Sequence, residues 1–323
     1  MSLGVVVLAA GQGKRLKSAT AKVLHHAHGR PLVDWVLDAV TPLAPAKTVV
    51  VVGHLREQVE AYLTGRRVEL VLQDPPAGTG DAVRVALPAV AGCMELLVLP
   101  GDAPLLQADT LHRLVALFRN ERAACALLTA VLDEGGPYGR VLRRDGQVTG
   151  IVEARDATPE QRAIREVNAG VYVFEAKVLA PLLAKLAPEN SQGEYYLTDV
   201  VAALSTQGAK VVAHTVADPT EMLGVNTREE LAQVSKLLNA RILRRWQEQG
   251  VTVVDPETTW IEAGCEVGRD TVLEPGVHLR RGSRLGEGCW VGAGSVLEGV
   301  TLSAGTRVPP LSYLKGGEAC AAS

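Results

Sequence analysis

The sequence predicts an α/β fold: a mostly parallel sheet with helices on both faces, then a linking helix, then a short left-handed parallel β-helix. Three observations carry this expectation. Residues 3–9, 48–52, 69–72 and 95–99 are aliphatic runs without polar alternation, as in strands buried on both faces. Helix-like stretches at 32–40, 55–63, 81–87 and 110–118 alternate with them, which is the rhythm of βαβ units. Beyond residue 260, aliphatic residues return every six positions. The expected division is residues 1–226 for the sheet domain, 227–250 for the helix, and 251–323 for the repeat and its tail.

In such a sheet ligands sit beyond the carboxyl ends of the strands, so the loops there are where chemistry is expected. The first run feeds Gly11-Gln12-Gly13-Lys14-Arg15. Glycines let backbone N–H groups approach phosphate oxygens, and Lys or Arg neutralises them. The dinucleotide fingerprint would need glycine where Leu16 stands, and a P-loop would need Ser or Thr where Arg15 stands. A phosphate loop of another kind is expected, with a plain tight turn as the alternative. The run at 95–99 ends in Pro100-Gly101-Asp102, which puts a carboxylate at the same edge. An Asp there is a candidate Mg²⁺ ligand, because a hard cation on triphosphate oxygens prefers oxygen donors. The alternative is a helix cap or turn residue. Gln73, Gly78-Thr79-Gly80, Glu153, Asn168 and Asn226 stand in comparable loops, where each alone is more often a turn residue than a ligand. His25, His26 and His28 abut a helix start without metal spacing, so solvated or capping histidines are expected.

The linking helix has its own start and stop. Thr227 with Glu230 reads as a capping box, Leu231, Val234, Leu238, Ile242 and Trp246 share one face, and Gly250 stops it. The repeat follows. Ile261, Val267, Leu273, Leu279, Leu285, Val291 and Leu297 keep strict phase, and four places after each stands Cys265, Thr271, Val277, Ser283, Cys289, Ser295 or Thr301. A hexapeptide β-helix explains this, since each hexapeptide is one short strand and a turn. Seven repeats predict a little over two coils. Cys265 and Cys289 are 24 residues apart, which does not stack them, so no disulfide between them is expected.

Composition narrows the function. The 323 residues are 47% hydrophobic and 21% charged, enough for a packed core. Aromatics are 4%, so Ala, Val and Leu must build it. A net charge of −3 argues against nucleic acid or an anionic membrane as main partner. Five cysteines, never in CxxC spacing, point to a reducing compartment, and a cytoplasmic location is expected. No apolar run approaches the length of a membrane span. The apolar start lacks a basic n-region and reads as a strand, not a signal peptide. Cys320-Ala321-Ala322-Ser323 fits a prenylation pattern, but no polybasic stretch precedes it and none is expected.

Together the loops carry a resemblance. Leu8-Ala9-Ala10-Gly11-x-Gly13-x-Arg15, Lys22-Val23-Leu24-His25, Gln73 with Gly78-Thr79-Gly80, Gly101-Asp102, Tyr138-Gly139-Arg140, Gly150-Ile151-Val152-Glu153, Gly193-Glu194-Tyr195-Tyr196-Leu197-Thr198-Asp199 and Gly224-Val225-Asn226 resemble the Rossmann-like sugar-phosphate nucleotidyltransferases. More narrowly they resemble the uridyltransferase half of the bacterial bifunctional enzymes that make UDP-N-acetylglucosamine for peptidoglycan and cell wall biogenesis. The resemblance implies roles. Leu8, Ala9, Ala10, Gly11 and Gly13 would hold the nucleotide by backbone, with Gly101 and Asp102 completing that site. Gln73, Gly78 and Thr79 would read the uracil edge. Arg15 and Lys22 would hold the triphosphate and offset charge in the transition state. Asp102 and Asn226 would bind Mg²⁺. Gly139, Glu153, Asn168 and Asn226 would bind N-acetylglucosamine-1-phosphate. The chemistry would be in-line attack of the sugar phosphate on the α-phosphorus of UTP.

Three positions depart from the family pattern: Ala21 for Pro, Pro100 for Tyr, and Ala169 for Thr. The family's second activity, acetyl transfer, resides in later β-helix coils, and His278 matches none of its positions, so uridylyl transfer alone is expected. The resemblance also implies a homotrimer through the β-helix, for which so short a repeat offers little area. Two other readings compete: a nucleotidyltransferase for another NTP and sugar phosphate, and a non-catalytic regulatory subunit. Arg15, Lys22 and Asp102 all being present speaks against the second.

Overall fold

A computed structural model describes residues 2–316, so the 320–323 tail pattern lies outside the described residues. The chain forms two compact units, one of residues 2–25 and 31–228, the other of 26–30 and 229–316.

The first unit is built on a nine-stranded sheet. Its elements in chain order are β1 (Leu3–Ala9), α1 (Leu32–Val40), β2 (Lys47–Val52), α2 (Arg56–Leu63), β3 (Glu69–Leu72), α3 (Thr79–Ala86), β4 (Glu95–Pro100), α4 (Ala108–Asn120), β5 (Cys125–Val131), β6 (Arg140–Arg144), β7 (Gln147–Val152), β8 (Glu166–Glu175), α5 (Ala176–Leu183), α6 (Thr198–Thr206) and β9 (Val211–Thr215). The strand order is β9-β5-β8-β4-β1-β2-β3, and the hairpin β6–β7 joins through β8. β1 runs parallel to both β2 and β4, while β8 runs antiparallel to β4 and β5.

The core explains the aliphatic runs. Val5, Val7 and Ala9 of β1 face one hydrophobic cluster with α1 and α4, while Val6 faces a second with α3, α5 and α6. Both sheet faces are dry, so neither set of alternate positions can be polar. β3 departs from this expectation: its residues are exposed or half-buried, because it is the edge strand with a neighbour on one side only. Thr79 and Gly80, read as loop, open α3 instead.

In the second unit a helix, α7 (Arg228–Glu248), buries Val234, Leu238, Ile242 and Trp246. Gly250 follows at φ +89°, the left-handed conformation that ends a helix. Asn239 is buried on the same face, where it donates to Thr259 O at 2.8 Å and accepts from Ile261 N–H at 3.2 Å. These bonds tie the helix to the coils that follow.

The coils are three parallel sheets of four, four and three short strands. Ile261 stacks on Leu279, and Leu279 on Leu297, each 18 residues on and all fully buried. The β-helix is longer than seven repeats predict. It gains Thr252–Val253 before them and Thr301–Leu302, Arg307–Val308 and Tyr313–Lys315 after them. Those strands escaped the strict period because Val253 precedes Ile261 by eight residues and Leu302 follows Leu297 by five. The same slip corrects Thr301. It is exposed, and Val300 is the buried residue in its place. Cys265 and Cys289 are free, as expected. The histidines are not as expected. His28 is buried, its ring 5.6 Å from Trp260 and its Nε2 donating to Ile261 O, and burial lowers its pKa. His25 is buried too, and only His26 is exposed.

Candidate active site

β1 sits between β2 and β4, so the order of the sheet reverses there. The crevice beyond the carboxyl ends of these strands is the ligand position of an open α/β sheet. Two predicted loops leave from this point. Gly101 N–H donates to Leu8 O at 2.8 Å, which carries the β4 loop alongside that of β1.

The first group is cationic. Gly13, at φ +60°, caps a 3-10 turn over Lys14–Leu16 that buries Leu16 and leaves Arg15 exposed. Arg15 has no ion-pair partner among the described residues. A Cβ on Gly13 would lie 3.1 Å from Cβ of Lys22, so the glycine lets the loop rest on the lysine stem. A Cβ on Gly11 would meet nothing within 4 Å, which leaves open space beside its backbone. The Lys22 ammonium pairs with Asp102 Oδ2 and donates to Asn226 Oδ1 at 2.7 Å. Lys22 and Asp102 are only 15% and 17% exposed at the side chain. Val225 N–H donates to Asp102 O at 3.0 Å, which brings Asn226 to this point. Asp102 and Asn226 thus aim two hard oxygen donors at one cationic head, and that donor set fits Mg²⁺. Among the described residues no three His, Cys, Asp or Glu side chains converge. A cation held here would take its other ligands from phosphate and water.

The second group lies beyond β2 and β3. Gln73 N–H continues the sheet by donating to Val52 O at 2.8 Å. Gly78, at φ +107°, could not carry a side chain, since a Cβ would lie 2.6 Å from Tyr195 O. The Gly-Glu-Tyr-Tyr stretch explains itself here. Tyr195 N–H donates to Ala77 O, Tyr195 O accepts from Gly80 N–H, both at 2.8 Å, and Leu197 N–H donates to Thr79 Oγ1 at 3.0 Å. These bonds anchor the first turn of α3 in spite of its glycine. A cleft of about 330 Å³ opens beside Gln73, lined also by Gln12, His54, Leu72 and Asp74.

The third group brings Gly139, Glu153 and Asn168 together. A Cβ on Gly139 would sit 2.9 Å from Ile151 and 3.5 Å from Glu153 Oε2, and Asn168 N–H donates to Gly139 O at 2.9 Å. Asn168 lies inside β8, not before it, where the register slips between Asn168 and Tyr172. Its amide is fixed at both ends: Gly170 N–H donates to Oδ1 at 3.0 Å, and Nδ2 donates to the Tyr172 hydroxyl at 2.6 Å. Thr198 Oγ1 donates to Glu153 at 3.1 Å. Burial holds the Glu153 pKa above the ordinary carboxylate range. Asp156, Asp199 and Glu194 push the same way, and the Thr198 bond only partly opposes them. Asn226, assigned by resemblance to both sugar phosphate and metal, stands with Lys22 and Asp102. Asp81 and Tyr172 were not singled out from the sequence, and Thr198 stood only within the Gly193–Asp199 motif, without a role. Asp81 lies in the first turn of α3 and Tyr172 inside β8, and each meets its partner only through the tertiary fold.

Comparison with known proteins gives the family of the chain. The profile of the MobA-like NTP transferase domain matches residues 5–254. Bifunctional protein GlmU of Mycobacterium tuberculosis is 43% identical over 345 residues, covering 98% of this chain and 69% of that protein. The chain belongs to the GlmU family. Its relatives include GlmU of Streptomyces avermitilis, 46% identical over 94% of this chain and 64% of that protein. GlmU of Geobacter metallireducens is 43% identical over 93% and 64%. The chain thus spans about two thirds of the length of these GlmU relatives. A solved structure described as a candidate glucose-1-phosphate thymidylyltransferase from Bacillus anthracis, in complex with a sucrose, aligns with a TM-score of 0.59 at 18% identity. It covers 73% of this chain and 95% of that one, a likeness of fold. As a GlmU-family chain it carries a nucleotidyltransferase domain.

Proposed function

We infer that the chain transfers UMP from UTP to N-acetylglucosamine-1-phosphate, yielding UDP-N-acetylglucosamine and pyrophosphate. The observation that carries this reading is the meeting of Lys22, Asp102 and Asn226 at the switch point of the sheet. A magnesium ion held by Asp102 and Asn226 would neutralise triphosphate charge. Gln73 and the Gly78–Thr79 turn receive the base, and the backbone from Leu8 to Gly13, with Gly101, holds the nucleoside and phosphates. Arg15 is free to close on the triphosphate. Lys22 offsets charge building on the α-phosphate. Gly139, Glu153 and Asn168 take the sugar: the glycine admits it, the carboxylate accepts from its hydroxyl or amide, and the fixed amide of Asn168 orients it.

No side chain has to act as nucleophile. The sugar-phosphate oxygen is already an anion, so the protein contributes alignment and charge neutralisation. The reading includes a cytoplasmic location. It is tested by initial rates of pyrophosphate release with Mg²⁺, pairing UTP, dTTP, CTP, GTP and ATP with several sugar-1-phosphates. UTP with N-acetylglucosamine-1-phosphate is expected to lead. A different leading pair removes the substrate assignment, and no release from any pair removes the activity.

A further inference from the structure

Gln73 is 3% exposed, and its side chain is held in one sense. Nε2 lies 2.9 Å from Gly78 O and 2.8 Å from Asp81 Oδ2. Both partners can only accept. The atom between them must therefore be the NH₂ group, whichever way an amide is first drawn. Its two hydrogens are both taken. Oε1 takes no hydrogen bond among the described residues and belongs to a side chain that lines the cleft. Gln73 is thus presented as an acceptor only.

Asp81 enforces that sense. An Asp in a first helical turn is ordinarily exposed and answers the helix dipole. This one is 6% exposed and divides its oxygens, Oδ1 to the Arg84 guanidinium and Oδ2 to Gln73. Arg84 is in turn seated over the Tyr195 ring at 5.0 Å. The other acceptor, Gly78 O, belongs to the turn that Tyr195 pins. Removing the carboxylate would take away one of the two acceptors that keep the amide from rotating.

We propose that Asp81 is a positioning residue for base selection: it locks the Gln73 carboxamide with its oxygen outward, so the cleft takes a base that offers a ring N–H and refuses one that offers a lone pair there. Uracil carries N3–H. Cytosine carries an unprotonated N3, which would set two acceptors face to face and leave both unpaired. This rests on the reading above that Gln73 faces the base of the nucleoside triphosphate. It adds a residue to that reading and a reason for discrimination between pyrimidines.

The test is equilibrium binding of UTP and CTP by calorimetry, with Mg²⁺ and without any sugar phosphate. The wild-type chain is expected to prefer UTP by roughly 10- to 100-fold, the range set by leaving one buried polar group unpaired. In Asp81→Asn one of the two positions held by carboxylate oxygens becomes an NH₂ group that cannot accept, so Arg84 and Gln73 compete for the remaining oxygen, and the preference is expected to fall below about 3-fold in a chain that stays folded. Arg84→Met keeps the carboxylate and is expected to keep the preference. Should Asp81→Asn fail to fold, Asp81→Ser serves, since its one small hydroxyl cannot hold the amide from that distance. CTP binding the wild type as tightly as UTP overturns the proposal. So does a folded Asp81 variant with undiminished preference. Because no sugar phosphate is present, failure of every pair in the pyrophosphate assay would leave this result standing and would count against the transfer reaction alone.

Discussion

Replacing Asp102 by alanine separates the role of the carboxylate in the fold from its role in the chemistry. In the wild type, Lys22 and Asp102 are about five-sixths buried at the side chain, and the ammonium has a second partner in Asn226 Oδ1 at 2.7 Å. Removing one partner of a fully buried ion pair costs about 3–5 kcal/mol, because a charge is left uncompensated. Here the lysine keeps Asn226 and some access to water, so the cost should be nearer 1–2 kcal/mol. For a unit of this size that lowers Tm by about 2–8 °C, which leaves the chain folded at assay temperature. The loss in turnover should be far larger. One preorganised group facing transition-state charge is worth about 10²–10³ in rate. Asp102 supplies the one carboxylate of the expected metal pair, so a loss of at least about 10³ in kcat is expected. The assay is pyrophosphate release over a Mg²⁺ titration, beside a calorimetric melt. Asp102→Asn keeps shape and one oxygen donor and should fall between wild type and Asp102→Ala at high Mg²⁺. Activity of Asp102→Ala within about 10-fold of wild type at the same Mg²⁺ would refute the reasoning.

The other predictions concern pH and packing. Burial raises the Glu153 pKa above its ordinary 4.5. In the window between the two values the folded chain binds more protons than the unfolded one, so Glu153's contribution to stability declines as pH rises through it. The ionised acceptor is lost as pH falls through the raised value. KM for the sugar phosphate should therefore climb on the acid side while KM for UTP stays level, and Glu153→Gln should flatten that limb. An acid limb that persists in Glu153→Gln contradicts this. His28 is shifted the other way: its folded pKa lies below 6.5, so the stability it supports is present above that pH and lost as pH falls below it. Denaturant melts from about pH 7 to about pH 5 should show the second unit weakening, and His28→Gln should reduce the slope. An unchanged slope contradicts it. Leu279 is fully buried between Ile261 and Leu297, so Leu279→Ala should cost the β-helix about 2–4 kcal/mol in urea melts, and a cost below about 1 kcal/mol would show that the coil collapses around the gap.

What could be read from the sequence follows from where water is excluded. β1, β2 and β4 are legible because parallel interior strands are dry on both faces, and Asp102 is legible because it directly follows such a strand. β3 was legible as a strand but not as an edge, since the neighbour it lacks is a property of the topology. The strict part of the repeat announced the β-helix, and the coils with an eight-residue turn or a five-residue step did not. Within the site, residues adjacent to strand ends could be found, but partners made by tertiary contact could not. Asp81 meets Gln73 only because Tyr195, more than a hundred residues away, fixes the turn between them. Tyr172 reaches Asn168 only because the strand slips register at that point.

The transfer itself is tested most directly by following oxygen. With N-acetylglucosamine-1-phosphate carrying ¹⁸O at its phosphate oxygens, unlabelled UTP and Mg²⁺, the wild-type chain should form UDP-N-acetylglucosamine that retains all of the label. Pyrophosphate should appear in equal amount and unlabelled, as attack by the sugar phosphate on the α-phosphorus requires. Label in the pyrophosphate, or no UDP-N-acetylglucosamine from a folded chain, would contradict it.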